Sequence, residues 1–169
     1  MKKIVLILIV LAIAGVSYLV VEGGKVQEVV TEIEISASPD KVWAIITDIN
    51  KWQDWSPIIN QSSGNASVGS ELRMTMIGKA EGKGGPTYNP IITQLEKPRL
   101  FQWRAHMIAG FIFTNDKIFE LEETTSGTRL VHKETFRGLL APIFCRKMEE
   151  GVPPMLHSMN KALKDLAEQ

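Results

Sequence analysis

Acid/base chemistry has one good candidate pair in this chain, His132 and Glu134, within the run Leu130-Val131-His132-Lys133-Glu134-Thr135-Phe136. Alternate residues of a strand point the same way with Cα atoms roughly 6.5–7 Å apart, so one bound carbonyl or enol can reach both side chains. Apolar surroundings would raise the carboxyl pKa towards values useful for proton transfer. A structural role suits the pair better, as buried polar groups satisfied by each other, by Arg137 or by the C-terminal helix, because buried polar groups normally find partners. Leu130 and Phe136 close the even-numbered face at its two ends, so that face is expected to turn inward.

Other chemistries find less support. The three histidines, His106, His132 and His157, form no helical pair and have no cysteine cluster beside them, so neither a metal centre nor a cofactor is expected. Gly82-Lys83-Gly84-Gly85-Pro86 lacks the strand-to-helix setting of a phosphate loop and is expected to be a turn. The single cysteine, Cys145, cannot form an internal disulfide; beside Ile143 and Phe144 it suits a small buried hydrophobe, with a nucleophile or palmitoylation site as alternatives. Trp52 and Trp55, three apart, suit the rim of an apolar site, because indole covers a hydrophobic guest while its N–H stays wet. Trp43 is expected in the core. Met74, Met76, Phe101, Trp103, Phe136, Met155 and Met159 complete the expected ligand-facing set, on the parity of the elements that carry them.

Those elements can be read in order. Val29, Thr31, Ile33 and Ile35 alternate with polar or acidic residues and predict a half-buried strand. Ser38 before Pro39 predicts a helix start, in which the hydroxyl accepts an orphan amide proton and proline loses nothing. A short second helix carrying Trp52 and Trp55 should end at Pro57. Ser62 to Gly69 reads as a loop, Glu71 to Met76 as a strand, and Thr87 to Leu95 as a strand that Pro90 interrupts or bulges. Leu100 to Met107 should turn Phe101, Trp103, Ala105 and Met107 inward. A hairpin at Ile108-Ala109-Gly110 leads to a strand from Phe111 to Glu122, and a second at Thr124 to Gly127 leads to Thr128–Phe136. Ala141 to Glu168 has helical periodicity, with a kink or break expected at Gly151, Pro153 and Pro154. Beyond it Met155, Met159, Ala162, Leu163 and Leu166 make the expected buried stripe.

The strand, then Ala37-Ser38-Pro39-Asp40-Lys41-Val42-Trp43 and Thr47-Asp48-Ile49-Asn50-Lys51-Trp52-Gln53-Asp54-Trp55-Ser56-Pro57, resembles the opening of the START-like SRPBCC superfamily, in its polyketide cyclase/dehydrase-like branch. Lys117-Ile118-Phe119-Glu120, Gly127-Thr128-Arg129-Leu130, His132-Lys133-Glu134-Thr135-Phe136 and Met159-Asn160-Lys161-Ala162-Leu163-Lys164 follow in the matching order. The resemblance implies an α+β helix-grip fold, with a curved antiparallel sheet wrapped around a long C-terminal helix and an apolar cavity between them. It does not imply one chemistry.

Residues 4 to 21 carry no charge and follow Lys2 and Lys3. As a helix of 18 residues they would span roughly 27 Å, close to a bilayer's hydrocarbon thickness. Ala12-Ile13-Ala14 fits a signal-cleavage pattern, yet the apolar run continues to Val21, which favours an uncleaved anchor. The expected organisation is therefore a membrane segment and linker over 1–24 and one domain over 25–169. Lys2 and Lys3 place the N-terminus in the cytoplasm and the domain outside it, or in a secreted or periplasmic form if cleavage occurs. Setting those two lysines aside leaves 17 basic against 19 acidic residues, which gives nucleic acid no basic surface.

The resulting expectation is a membrane-anchored domain that holds a small hydrophobic or amphipathic molecule, such as a lipid or an aromatic metabolite. A cyclase or dehydratase using His132 and Glu134 is the alternative. An interaction or stress-related module with a filled interior is a third.

Overall fold

The computed structural model describes residues 2–78 and 84–169. Gly82 and Lys83 of the expected turn lie outside these residues, as does the side chain of Cys145, whose environment is therefore not described. An apolar helix, α1 (Lys2–Gly23), leads the chain. Its core window has a mean hydropathy of 3.1 and none of that window is buried inside the structure. At 22 residues it is roughly 33 Å long, enough to cross a bilayer, and a signal sequence would meet the same test.

Strand β1 (Gln27–Ile35) follows, with Thr31 and Ile35 buried and Glu28, Glu32 and Glu34 exposed, as its alternation predicts. Helix α2 (Pro39–Thr47) is capped by Ser38, whose hydroxyl accepts from the Lys41 amide. One 3-10 turn (Ile49–Lys51) then runs into α3 (Trp52–Trp55). The remaining strands are β2 (Ile59–Ser63), β3 (Arg73–Ile77), β4 (Gly84–Tyr88), β5 (Ile91–Glu96), β6 (Leu100–His106), β7 (Thr114–Thr124) and β8 (Gly127–Arg137), and α4 (Ala141–Ala167) closes the chain.

All strand pairs are antiparallel, in a five-stranded sheet of order β1-β8-β7-β6-β5 and a three-stranded sheet of order β2-β3-β4. A bridge between Glu71 and Ile91 joins them. Together the sheets curve around α4, which packs chiefly on β1; α2 packs on α4, β7 and β8, and α3 on β2 and α4. This is the α+β helix-grip arrangement. Trp52, Phe101, Trp103 and Phe119 form its aromatic centre, with ring centroids 5.0–6.1 Å apart. The Trp52 indole N–H donates to the Ile46 carbonyl at 3.0 Å.

Several expectations are corrected. The single strand from Thr87 to Leu95 is two strands in different sheets, divided at Asn89-Pro90, because proline has no amide to continue the ladder. Ser62 and Ser63 belong to β2 rather than to the expected loop, and Gly84 to Pro86 belong to β4 rather than to a turn. The strand after the first of the two expected hairpins starts at Thr114, not Phe111, and Met107 lies in the loop before it, exposed. Helix α4 continues through Pro153 and Pro154 without a break. Each proline removes only its own amide from the ladder, and the packed turns that follow hold the element as one helix. Its buried stripe is Leu156, Met159, Asn160, Leu163 and Ala167, while Met155, Ala162 and Leu166 are only partly covered. The stripe is rotated because a polar residue, Asn160, occupies an inward position that an apolar pattern cannot reveal.

Candidate functional site

Three strands set the floor of the site. In the β6–β7–β8 register Trp103 faces Lys117 and Lys117 faces Glu134, so all three side chains point to the concave side. Phe119 is paired with His132 one step along, and Thr31 of β1 with His132 on its other flank. On the convex side of the same strands, Asp116 holds the Arg104 Nε at 2.6 Å and the Arg137 Nη1 at 2.8 Å. Burial alone would raise the Asp116 carboxyl; the two guanidiniums outweigh it and hold it below the usual carboxylate range. This clamp ties the three strands together directly behind Asn115 and Lys117.

The Lys117 ammonium lies 2.5 Å from Glu134 Oε1, with both side chains about 5% exposed. The other carboxylate oxygen accepts from the Asn115 amide at 3.2 Å. Lys117 also approaches His132 Nε2 at 3.4 Å, and His132 Nδ1 lies 2.6 Å from Asn160 Oδ1. Asn160 Nδ2 donates to Thr31 Oγ1 at 3.0 Å, and Thr31 donates to the His132 carbonyl at 3.2 Å. With the Asn160 oxygen thus turned to the imidazole, Nδ1 carries the proton and Nε2 accepts from Lys117. Burial first, and then the Lys117 charge, hold the imidazole well below the ordinary histidine range against the opposing bond to Asn160. His132 is neutral and sealed, its ring stacked 4.2 Å from Phe119.

A cavity of about 280 Å³ opens beside this network. Its walls are Ile58, Met76, Ala105, Met107, Phe113 and Met155, and its polar groups are Tyr88, His106, Asn115, Lys117 and Glu134. Burial, and then the Glu134 charge, raise the Tyr88 phenol above its ordinary value, so it stays protonated and able to donate.

Of the residues expected at a ligand site, Met76, Glu134 and Met155 line this cavity. Trp52, Met74, Phe101, Trp103, His132 and Met159 are packed in the interior behind it. Trp55 packs against Trp52 at 5.3 Å, and Phe136 against Phe113 at 6.0 Å. The expected single cavity bordered by all of them is thus largely filled by aromatic packing, and its open part lies towards the β6–β7 loop. Lys117, Asn115 and Tyr88 were missed. A signal for Lys117 existed, since it shares the parity of Phe119 and Leu121 and so had to point inward with them. Among the described residues no cluster of His, Cys, Asp and Glu is arranged to hold a metal ion.

The geometry defines a helix-grip protein with a small, open pocket whose floor is polar. Residues 26–168 match the model of the family described as polyketide cyclase / dehydrase and lipid transport, and the chain belongs to that family. No curated protein matches it. Among solved structures it is similar to the aromatase/cyclase Zhui from Streptomyces sp. R1128, at a TM-score of 0.67 and 18% identity over 85% of this chain and 94% of that one. The di-domain ARO/CYC StfQ from the steffimycin biosynthetic pathway superposes at a TM-score of 0.69 and 13% identity over 85% of this chain, which spans 51% of the di-domain protein. Norcoclaurine synthase from Thalictrum flavum superposes at 0.65, with 15% identity over 85% of this chain and 94% of that one. At these identities the likeness speaks for the fold alone.

Proposed function

We propose that the protein is a membrane-tethered binder of one small amphipathic molecule. Its hydrocarbon or aromatic body would lie against Ile58, Met76, Phe113 and Met155, and its polar end against Tyr88, Asn115 and the Lys117–Glu134 pair. The observation that carries this reading is the closure of an apolar-walled cavity on a buried ion pair, a combination that orients a guest by its polar end. At about 280 Å³ the space is at or below the low end of ligand pockets, roughly 300–1,000 Å³, which favours a compact molecule over a two-chain lipid. Helix α1 supplies the tether, with the domain on the far side of the membrane from Lys2 and Lys3. Native mass spectrometry of the full chain extracted from membranes tests the reading: a bound small molecule is expected, and a ligand-free spectrum under conditions that preserve the fold would count against it.

A cyclase or dehydratase is the second reading, favoured by three proton-carrying groups that converge on the cavity. Glu134 would take a proton, with Lys117 and Tyr88 as donors to a developing enolate. His132 would act through Lys117, since its imidazole is sealed behind the cavity floor.

A further inference from the structure

The loop between β6 and β7 displays apolar side chains outward although its backbone is firmly held. Ile108 is 88% exposed and Phe111 69%, with Met107 exposed beside them. The Met107 amide donates to the Phe113 carbonyl, and Thr114 Oγ1 donates to the Gly110 carbonyl at 2.8 Å. From the other side, the Leu139 and Leu140 amides donate to the Phe111 and Ile112 carbonyls, both at 3.0 Å. Ile108 itself has φ of 66°, an unfavourable conformation for a β-branched residue, kept at a fully exposed position. A braced loop cannot fold these side chains inward, and the first turn of α4 adds exposed Ile143.

Helix α1 ends at the same place. The Gly138 amide donates to the Gly23 carbonyl at 2.8 Å, and Val20, Gly23 and Phe111 line one groove. Neither glycine admits a side chain: a Cβ on Gly23 would stand 2.6 Å from the Gly138 carbonyl oxygen, and Gly138 has φ of 116°. The apolar loop is therefore continuous with the end of the apolar helix.

We propose that the β6–β7 loop is a second membrane contact, in which Met107, Ile108 and Phe111 enter the headgroup and upper acyl region of the bilayer that holds α1. Met107 and Phe113 also wall the cavity, so this docking sets the cavity mouth at the lipid surface and makes a membrane-dissolved amphiphile the class of ligand that reaches it. The inference rests on the tether reading of α1, and contact depths of about 5–10 Å are ordinary for interfacial apolar groups.

Depth-dependent quenching tests it on the full chain in phosphatidylcholine nanodiscs that contain spin-labelled lipid. An environment-sensitive thiol dye is placed at Ile108→Cys, at Leu11→Cys within α1, and at Thr125→Cys, separated from the loop by the length of β7, roughly 34 Å. Labelled wild type, which carries Cys145, is the blank to be subtracted. The dyes at 108 and 11 are expected to lose emission as spin-labelled lipid increases, and the dye at 125 to lose none. Quenching at 11 without quenching at 108 would overturn the docking and leave the tether standing. A blue-shifted dye at 108 that lipid does not quench would mean that protein covers the loop, and would overturn it too. No quenching at 11 would remove the tether, and the inference with it.

Discussion

Lys117 and Glu134 face each other across the β7–β8 ladder with 2.5 Å between Nζ and Oε1, and both side chains are almost wholly withdrawn from water. Such a pair contributes little net stability over an apolar replacement, but breaking it strands a charge. Lys117→Met or Glu134→Leu alone is therefore expected to lower the unfolding free energy by about 3–5 kcal/mol, and the double variant by far less. Denaturant titration of the four proteins measures the coupling. Additive losses would mean that the two groups are solvated in solution.

The depressed pKa of His132 makes a signed prediction. The unfolded chain binds a proton on this imidazole near pH 6.5, and the folded protein does so only at lower pH. Stability from this group is complete above about pH 6.5 and declines as pH falls towards the folded pKa, by at most about 1.4 kcal/mol per pH unit. His132→Gln should lack that slope when both proteins are unfolded by urea between about pH 5 and 6.5. Parallel profiles would show that the imidazole is not held neutral.

Removal of residues 1–24 should leave a cooperatively folding domain, because Gly23 is the one buried residue of α1. Near-ultraviolet circular dichroism during thermal unfolding checks this. A broad, non-cooperative transition would mean that α1 is part of the core.

Ala105 lies on the cavity wall with its side chain only partly covered. Ala105→Trp is expected to fill the space and abolish binding of N-phenyl-1-naphthylamine to residues 25–169, with the folded spectrum retained. Undiminished fluorescence enhancement would place the binding site elsewhere.

Leu163 is 1% exposed on the inner stripe of α4. Its replacement by alanine should cost about 2–5 kcal/mol in chemical denaturation, the range for a buried leucine left as a cavity. A loss near zero would contradict the way α4 is seated on the sheet.

Local rules in the sequence determined much of the architecture. Strand parity placed Thr31, Phe101, Trp103, Leu130, His132 and Glu134 inward, Ser38-Pro39 marked the start of α2, and the uncharged run marked α1, because each depends only on near neighbours. The site depended on more than that. Periodicity says which residues share a face, but not how faces from distant elements close on one another. Only the tertiary structure brought Asn160 of α4 to His132, set Lys117 between His132 and Glu134, and sent β4 and β5 into different sheets so that Tyr88 reached the cavity. The aromatic side chains that parity assigned to a ligand instead fill the interior, because Trp52, Phe101, Trp103 and Phe119 are large enough to meet across the sheet and leave open space only beside the β6–β7 loop.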